Sequence, residues 1–255
     1  MISFENLRAG YGTCDVLQSL SASAKAGEFI ALIGPNGCGK STLLKTLCGL
    51  IKPSNGEVTI DGGDLSKMPL KKRARAIAYL AQSREALPAM RVKDVIELGR
   101  APYRGSLGKI SESGHSAMQD AITRTQSESF TERRFDSLSG GEQARVLLAR
   151  ALAVEAPVLL ADEPIAALDP FYQLSMMEIL KAEAKSGRTV ITALHDLPLA
   201  AQFATRIWVM HEGKIVTDAA PKNALSDATL AKVFGIRAPV GGFQPVRLAV
   251  NTPPH

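Results

Sequence analysis

Apolar positions along this chain follow two rhythms. Phe29-Ile30-Ala31-Leu32-Ile33, Val158-Leu159-Leu160-Ala161 and Thr189-Val190-Ile191-Thr192-Ala193 are short, nearly unbroken apolar runs, as expected of strands buried on both faces of a sheet. Further strand-like runs stand at Ser3-Phe4-Glu5-Asn6-Leu7, at Val58-Thr59-Ile60 ahead of the turn Asp61-Gly62-Gly63, and at Ile77-Ala78-Tyr79-Leu80-Ala81. Arg206-Ile207-Trp208-Val209-Met210 and Lys214-Ile215-Val216, separated by His211-Glu212-Gly213, predict a hairpin. The second rhythm, apolar residues at helical spacing, marks 41–47, 92–98, 146–152 and 171–185, the last stopped by Gly187. Between about 83 and 138 no buried-strand run occurs: Gly105-Ser106-Leu107-Gly108 breaks the pattern, and the polar stretch 112–130 predicts a surface helix. Strands alternating with helices predict an α/β core, and the strand-poor middle predicts a helical insertion. Residues 236–255, with several Pro and Gly, are expected to form a loosely ordered tail.

Composition adds limits. The 255 residues, 45% hydrophobic and 22% charged, suffice for one large domain or a domain with a subdomain. No apolar run approaches the ~20 residues of a membrane span, and Met1-Ile2-Ser3-Phe4-Glu5 lacks the layout of an export signal. Cys14, Cys38 and Cys48 are odd in number and lack metal-ligand spacing, as expected of thiols in a reducing compartment. The net charge of +5 is a mild excess, and the basic run Lys71-Lys72-Arg73-Ala74-Arg75 reads as a solvated helix face. No stacking aromatics are interleaved with it, so no nucleic-acid partner is expected.

The chemistry begins at Gly34-Pro35-Asn36-Gly37-Cys38-Gly39-Lys40-Ser41, followed by Thr42, which sits between a predicted strand and a predicted helix. That order fits a phosphate-binding loop: glycines let successive N–H groups turn inward, and the helix start adds partial positive charge. Lys40 would reach the β- and γ-phosphates, and the Ser41 hydroxyl would bind Mg²⁺. The loop alone leaves kinases, GTPases and many ATPases open. A second motif, Val158-Leu159-Leu160-Ala161-Asp162-Glu163-Pro164, delivers two acids to a strand's carboxyl end. Asp162 there can hold Mg²⁺, and Glu163 can polarise a water. A third, Leu138-Ser139-Gly140-Gly141-Glu142, offers a hydroxyl, free N–H groups and a helix start, which amounts to a second anion-binding design in one chain.

In this order and context, Ser139-Gly140-Gly141 resembles the signature motif of ATP-binding-cassette (ABC) ATPases, and the likeness extends over roughly residues 2 to 235. The resemblance implies a P-loop NTPase fold, with an α/β core, an N-terminal antiparallel β subdomain and an inserted α-helical subdomain at about 83–153. It implies one nucleotide-binding domain over 1–235. Tyr11 resembles the aromatic that stacks on adenine, Gln82 the glutamine at the boundary with the helical subdomain, Asp169 the dimer-contact loop, and His195 the switch histidine at the γ-phosphate. The implied mechanism is a head-to-tail homodimer with ATP between the phosphate loop of one copy and residues 139–141 of the other. Glu163 is the implied base; Lys40 and His195 neutralise charge; Ser41, Gln82 and Asp162 form the metal shell. Three departures affect detail only: Ala81 where proline is common, Ile165 where threonine is common, and Ala219-Ala220 in place of an Asp-Gly-like turn.

The segments before Gln82 and around Leu98-Gly99-Arg100-Ala101-Pro102 are similar to those of importers of iron-siderophores, haem and cobalamin. The expectation is therefore the ATPase subunit of a bacterial importer, with an iron chelate as first choice of cargo and haem or cobalamin next. It would be peripheral on the cytoplasmic face of the inner membrane. Its partners would be permease subunits and, indirectly, a periplasmic or lipid-anchored substrate-binding protein. The rival is a soluble ABC ATPase, although one set of motifs and the short spacing between Gln82 and Ser139 argue against two-cassette translation factors and coiled-coil repair ATPases.

Overall fold

The computed structural model describes residues 1–12, 14–82, 90–105 and 109–237. Part of the predicted break (106–108) and of the predicted tail (238–255) lies outside them. In chain order the elements are β1 (Ile2–Tyr11), β2 (Cys14–Ala24), β3 (Phe29–Ile33), α1 (Lys40–Leu47), β4 (Asn55–Ile60), β5 (Gly63–Asp64), α2 (Leu70–Ala76) and β6 (Ile77–Leu80). Then follow α3 (Val92–Glu97), α4 (Glu112–Arg124), α5 (Gly140–Leu152), β7 (Val158–Asp162), α6 (Pro170–Lys185) and β8 (Thr189–Leu194). The chain continues with α7 (Leu197–Phe203), β9 (Arg206–His211), β10 (Lys214–Ala219), α8 (Pro221–Ala224) and α9 (Asp227–Phe234).

The strands form a six-stranded sheet in the order β10-β9-β3-β8-β7-β6 and a four-stranded sheet in the order β2-β1-β4-β5. In the first, β9, β3, β8, β7 and β6 run parallel and β10 returns antiparallel; the second is antiparallel throughout. Because strand side chains alternate between faces, the central sheet separates two cores. Phe29, Ala31, Ile33, Leu159, Ala161, Ile207 and Val209 face one core, which they share with α3 to α7. Ile30, Leu32, Val158, Leu160, Trp208 and Met210 face the other, against α1 and the four-stranded sheet. Phe4 meets Trp208 edge-on across that second core, ring centroids 5.7 Å apart. Leu43, Leu44 and Leu47 of α1 are fully buried there, each side chain stabilising by about 1.5–3 kcal/mol relative to exposure. This two-sided burial is why the strands read as apolar runs rather than alternations.

Among the described residues between β6 and β7 the only strand pairing is a single bridge, Arg91 to Arg134. The helices predicted at 41–47, 92–98, 146–152 and 171–185 correspond to α1, α3, α5 and α6. Helix α2 buries none of its residues, as its basic run suggested. Two expectations need revision. The helix expected over 112–130 ends at Arg124; it lies at the surface with most positions exposed, and Ala117, Met118, Ala121 and Ile122 form the inner stripe by which it packs. Gln126, at φ 52°, breaks the helix, and Thr125 and Ser127 turn inward with their hydroxyls bonded to each other at 2.9 Å. Strand β2 was not expected, because its serines and aspartate dilute the pattern, yet its inward positions Leu17, Leu20 and Ala24 are buried.

Helix α5 is held at its far end by the segment 98–103. Arg100 Nη1 donates to Ala153 O at 2.6 Å, and Tyr103 Oη donates to Val154 O at 2.9 Å. Gly99 permits the approach: a Cβ there would lie 2.2 Å from Arg150 O. No helix among the described residues is long and apolar enough to cross a membrane.

Candidate functional site

Four adjacent parallel strands end side by side, and each hands its next residues to one place. Register sets this: Ile33 of β3 pairs with Leu194 of β8, Ala193 of β8 with Asp162 of β7, and Ala161 of β7 with Leu80 of β6. The loop after β3 carries Gly34 to Gly39, β7 ends on Asp162 with Glu163 next, His195 follows β8, and Gln82 follows β6. Carboxyl ends of parallel strands are where such sheets bind ligands.

The loop's shape follows from its glycines. Gly37 and Gly39 have φ of 77° and 106°, where other residues are strained. Asn36 and Gly37 are exposed, whereas Cys38, Gly39, Lys40 and Thr42 are buried. Lys40 is 5% exposed, and its Nζ donates to Gly34 O at 2.7 Å and to Pro35 O at 3.1 Å. The ammonium thus sits folded under the loop on carbonyls that a phosphate oxygen can replace. The Cys38 thiol is pushed up in pKa by burial, with the Lys40 charge pulling it partly back. The β9–β10 turn supports the loop through Gly213 N–H donating to Cys38 O at 3.2 Å.

Ser41 Oγ donates to Asp162 Oδ1 at 2.9 Å, and Tyr79 Oη donates to Asp162 Oδ2 at 3.2 Å. Burial raises the Asp162 pKa, and these two bonds lower it in part. Tyr79 is raised in turn, first by burial and then by the Asp162 charge. Glu163 departs from Asp162 because its backbone turns left-handed, at φ 49°. Its carboxylate accepts from Gln82 Nε2 at 2.6 Å on one oxygen and pairs with His195 Nε2 on the other. Gln82, Glu163 and His195 are therefore one hydrogen-bonded group, next to the Ser41–Asp162 pair.

The remaining candidates stand apart from this centre. Ser139 caps α5 in a reciprocal box: its hydroxyl accepts from Glu142 N–H at 3.3 Å, while Glu142 Oε2 accepts from Ser139 N–H at 2.8 Å. Ser139 and Gly140 are exposed and Gly141 is buried. Asp169 caps α6, accepting from Tyr172 N–H at 3.1 Å. Tyr11 ends β1 with 56% of its surface exposed. Glu142 and Tyr79 join the site without having stood among its candidates. The first was available from the spacing Ser-x-x-Glu of a capping box; the second needed the pairing of β6 with β7.

A family model for the ABC transporter matches residues 17–166, more than half of the chain. The chain belongs to this family. It is 38% identical over 228 residues to the hemin import ATP-binding protein HmuV of Streptomyces coelicolor, spanning 89% of this chain and 81% of that protein. It is 35% identical over 241 residues to the petrobactin import ATP-binding protein FpuC of Bacillus anthracis, spanning 94% and 89%. Over 234 residues it is 35% identical to the ferric enterobactin transport ATP-binding protein FepC of Escherichia coli, spanning 91% and 86%. Its fold matches a solved dimeric ATP-binding cassette in a post-hydrolysis state with ADP and Pi, with a TM-score of 0.77, 30% identity, and 87% and 99% of the two chains covered. As an ABC transporter ATPase it hydrolyses ATP in support of transport.

Proposed function

We propose that this chain drives import of an iron chelate through a membrane permease, working as one of a pair of ATPase subunits. The observation that carries the reading is the convergence of Lys40, Ser41, Gln82, Asp162, Glu163 and His195 at the ends of four neighbouring strands. The choice of cargo rests on relatives named for importing hemin and petrobactin and for transporting ferric enterobactin.

Hydrolysis of ATP requires an in-line water, a neutralised γ-phosphate and a fixed geometry. The loop's N–H groups and Lys40 take the phosphates, with Lys40 exchanging the Gly34 and Pro35 carbonyls for phosphate oxygens. Glu163 holds and deprotonates the attacking water; a carboxylate has about four lone-pair sites, so the bonds to Gln82 and His195 leave room for it. His195 bonds the γ-phosphate once Glu163 releases it, and Tyr11 stacks on the base. Ser41, Asp162 and Gln82 would hold Mg²⁺, which supplies charge neutralisation at the phosphates. The fit is chemical: all three offer hard oxygens, and Ser41 Oγ already lies 2.9 Å from Asp162 Oδ1. Among the described residues no group of three or more His, Cys, Asp or Glu could hold a metal ion.

Ser139, Gly140 and Gly141 then cover the nucleotide bound to a second copy, and Asp169 meets that copy at the dimer contact. Residues 1–235 act as one nucleotide-binding domain, with the insertion at about 83–153 docking on the permease. The subunit works peripherally at the cytoplasmic face of the membrane, with a substrate-binding protein delivering cargo on the other side.

The test is co-purification of the chain with a hydrophobic permease, followed by ATP-driven uptake into vesicles of a panel of ferric siderophores, haem and cobalamin. Uptake of a ferric siderophore supports the proposal. Uptake confined to haem or cobalamin replaces the cargo, and a soluble complex without a permease refutes the transport role.

A further inference from the structure

Gly141 is buried although the two residues before it are exposed, and Tyr172 is what covers it. A Cβ built on Gly141 would lie 2.5 Å from Cδ2, 2.6 Å from Cγ and 2.7 Å from Cε2 of that ring. Rotation about χ2 moves Cδ2 and Cε2 but leaves Cγ where χ1 puts it. Any side chain at 141 therefore displaces the whole tyrosine or the helix that carries it. Tyr172 belongs to the first turn of α6, and its own N–H donates to Asp169 Oδ1 at 3.1 Å. The residue thus sits between the turn at 139–141 and the turn at Asp169.

Its surroundings restrain it. The Arg145 guanidinium, one turn along α5 from Gly141, lies 5.2 Å from the Tyr172 ring centroid and 5.3 Å from that of Phe130. Arg145 Nη1 also donates to Gln126 O at 3.2 Å. Phe171 meets Tyr172 edge-on, with centroids 5.4 Å apart. Gly140 and Gly141 open α5 but have little conformational preference of their own, so packing adds to the helix bonds in holding their backbone. The capping box with Glu142 anchors Ser139, and the Tyr172 ring supports Gly141.

We propose that Tyr172 is a positioning residue that fixes the separation between the 139–141 turn and the Asp169 turn, so that both reach a second copy of the chain in register. The proposal rests on the reading that nucleotide is enclosed between two copies.

The test uses the full chain carrying Glu163→Gln, in which slow hydrolysis lets ATP-bound dimers accumulate. Sedimentation reads dimer affinity, a fluorescent ATP analogue reads nucleotide affinity of the single copy, and thermal melting reads folding. If the Glu163→Gln chain forms no dimer with ATP, the enclosure reading fails and this proposal falls with it. If it dimerises, adding Tyr172→Ala should weaken the dimer by about tenfold or more, from loss of ring contacts. Nucleotide affinity should stay within about twofold, because the phosphate loop is untouched. Tyr172→Phe should match its Glu163→Gln parent. Gly141→Ala should cost about 100-fold in dimer affinity when Tyr172 is present, through overpacking, but no more than about threefold on the Tyr172→Ala background. If Tyr172→Ala does not fold, Tyr172→Leu takes its place in both arms. Parent-like dimer affinity without the ring, or equal damage by Gly141→Ala on both backgrounds, overturns the proposal.

Discussion

Replacing Glu163 with glutamine separates chemistry from binding, and the structure sets the size of each effect. The carboxylate accepts from Gln82 Nε2 on one oxygen and pairs with His195 Nε2 on the other. An amide keeps one acceptor for Gln82 Nε2 and replaces the other with an N–H pair, so the bond to His195 is kept only with the imidazole's Nε2 accepting, and the charge assistance to both bonds is lost. A hydrogen bond to a charged group contributes about 1.5–3 kcal/mol when secluded. The site is wet, however, with 44% of the His195 side chain exposed, and water replaces much of the loss. The expected cost to folding is below ~1 kcal/mol, or about 2–4 °C of Tm in a chain of this size. Removing the base should lower turnover by about 10²–10⁴, equivalent to roughly 3–5.5 kcal/mol of barrier. Phosphate release against ATP concentration, fluorescent-nucleotide binding and thermal melting read the three quantities separately. Turnover within about fivefold of the parent would refute the assignment of the base. Collapse of nucleotide affinity would show instead that Glu163 shapes the binding pocket.

Other substitutions probe the same frame. Lys40→Ala removes the ammonium from the Gly34 and Pro35 carbonyls, and equilibrium dialysis should show ATP binding weakened by about 100-fold, since charge-assisted phosphate bonds are the strong ones; unchanged binding contradicts the role given to Lys40. Gly34→Ala would place a methyl 2.3 Å from Met210 O and 2.7 Å from Cys38 Sγ, so a loss of at least about 2 kcal/mol is expected in urea unfolding, and a wild-type midpoint counts against the loop packing. Ser139→Arg should abolish ATP-dependent dimerisation and spare nucleotide affinity of the single copy; the reverse pattern argues against enclosure by a second copy. Cys48 has its pKa pushed up by burial to about 11. Only about one part in a thousand is then the reactive thiolate at pH 8, and its rate rises with pH up to that value. Maleimide should label exposed Cys14 first, and equal rates at pH 8 would contradict the burial.

How much of this was legible beforehand depends on the range of the interactions. The phosphate loop, the acids at Asp162 and Glu163 and the signature turn are written in consecutive residues, and the strands that lead into the first two are buried on both faces, so runs of apolar residues revealed them. Strand β2 escaped because a hairpin edge rich in serine carries a weak pattern, even though Leu17 and Leu20 are buried. The inner stripe of α4 escaped because a single small-residue face, Ala117 and Ala121 beside Met118 and Ile122, reads as polar when averaged with its neighbours. The bonds from Gln82 and His195 to Glu163, and from Tyr79 to Asp162, join residues 32 to 83 positions apart. Only strand order and register bring them together, and neither is encoded locally.

The grip on the two ends of α5 has a mechanical consequence. At about 1.5 Å per residue its thirteen residues make a rod roughly 20 Å long. One end is tied by Arg100 and Tyr103 to the segment 98–103, and the other carries Ser139. A continuous helix resists bending, so a push on that segment from outside moves the serine instead of being absorbed on the way. On the proposed enclosure of nucleotide between two copies, the insertion would then work as a lever: tilting at its far side would open or close the Ser139 end over the phosphate held by the second copy.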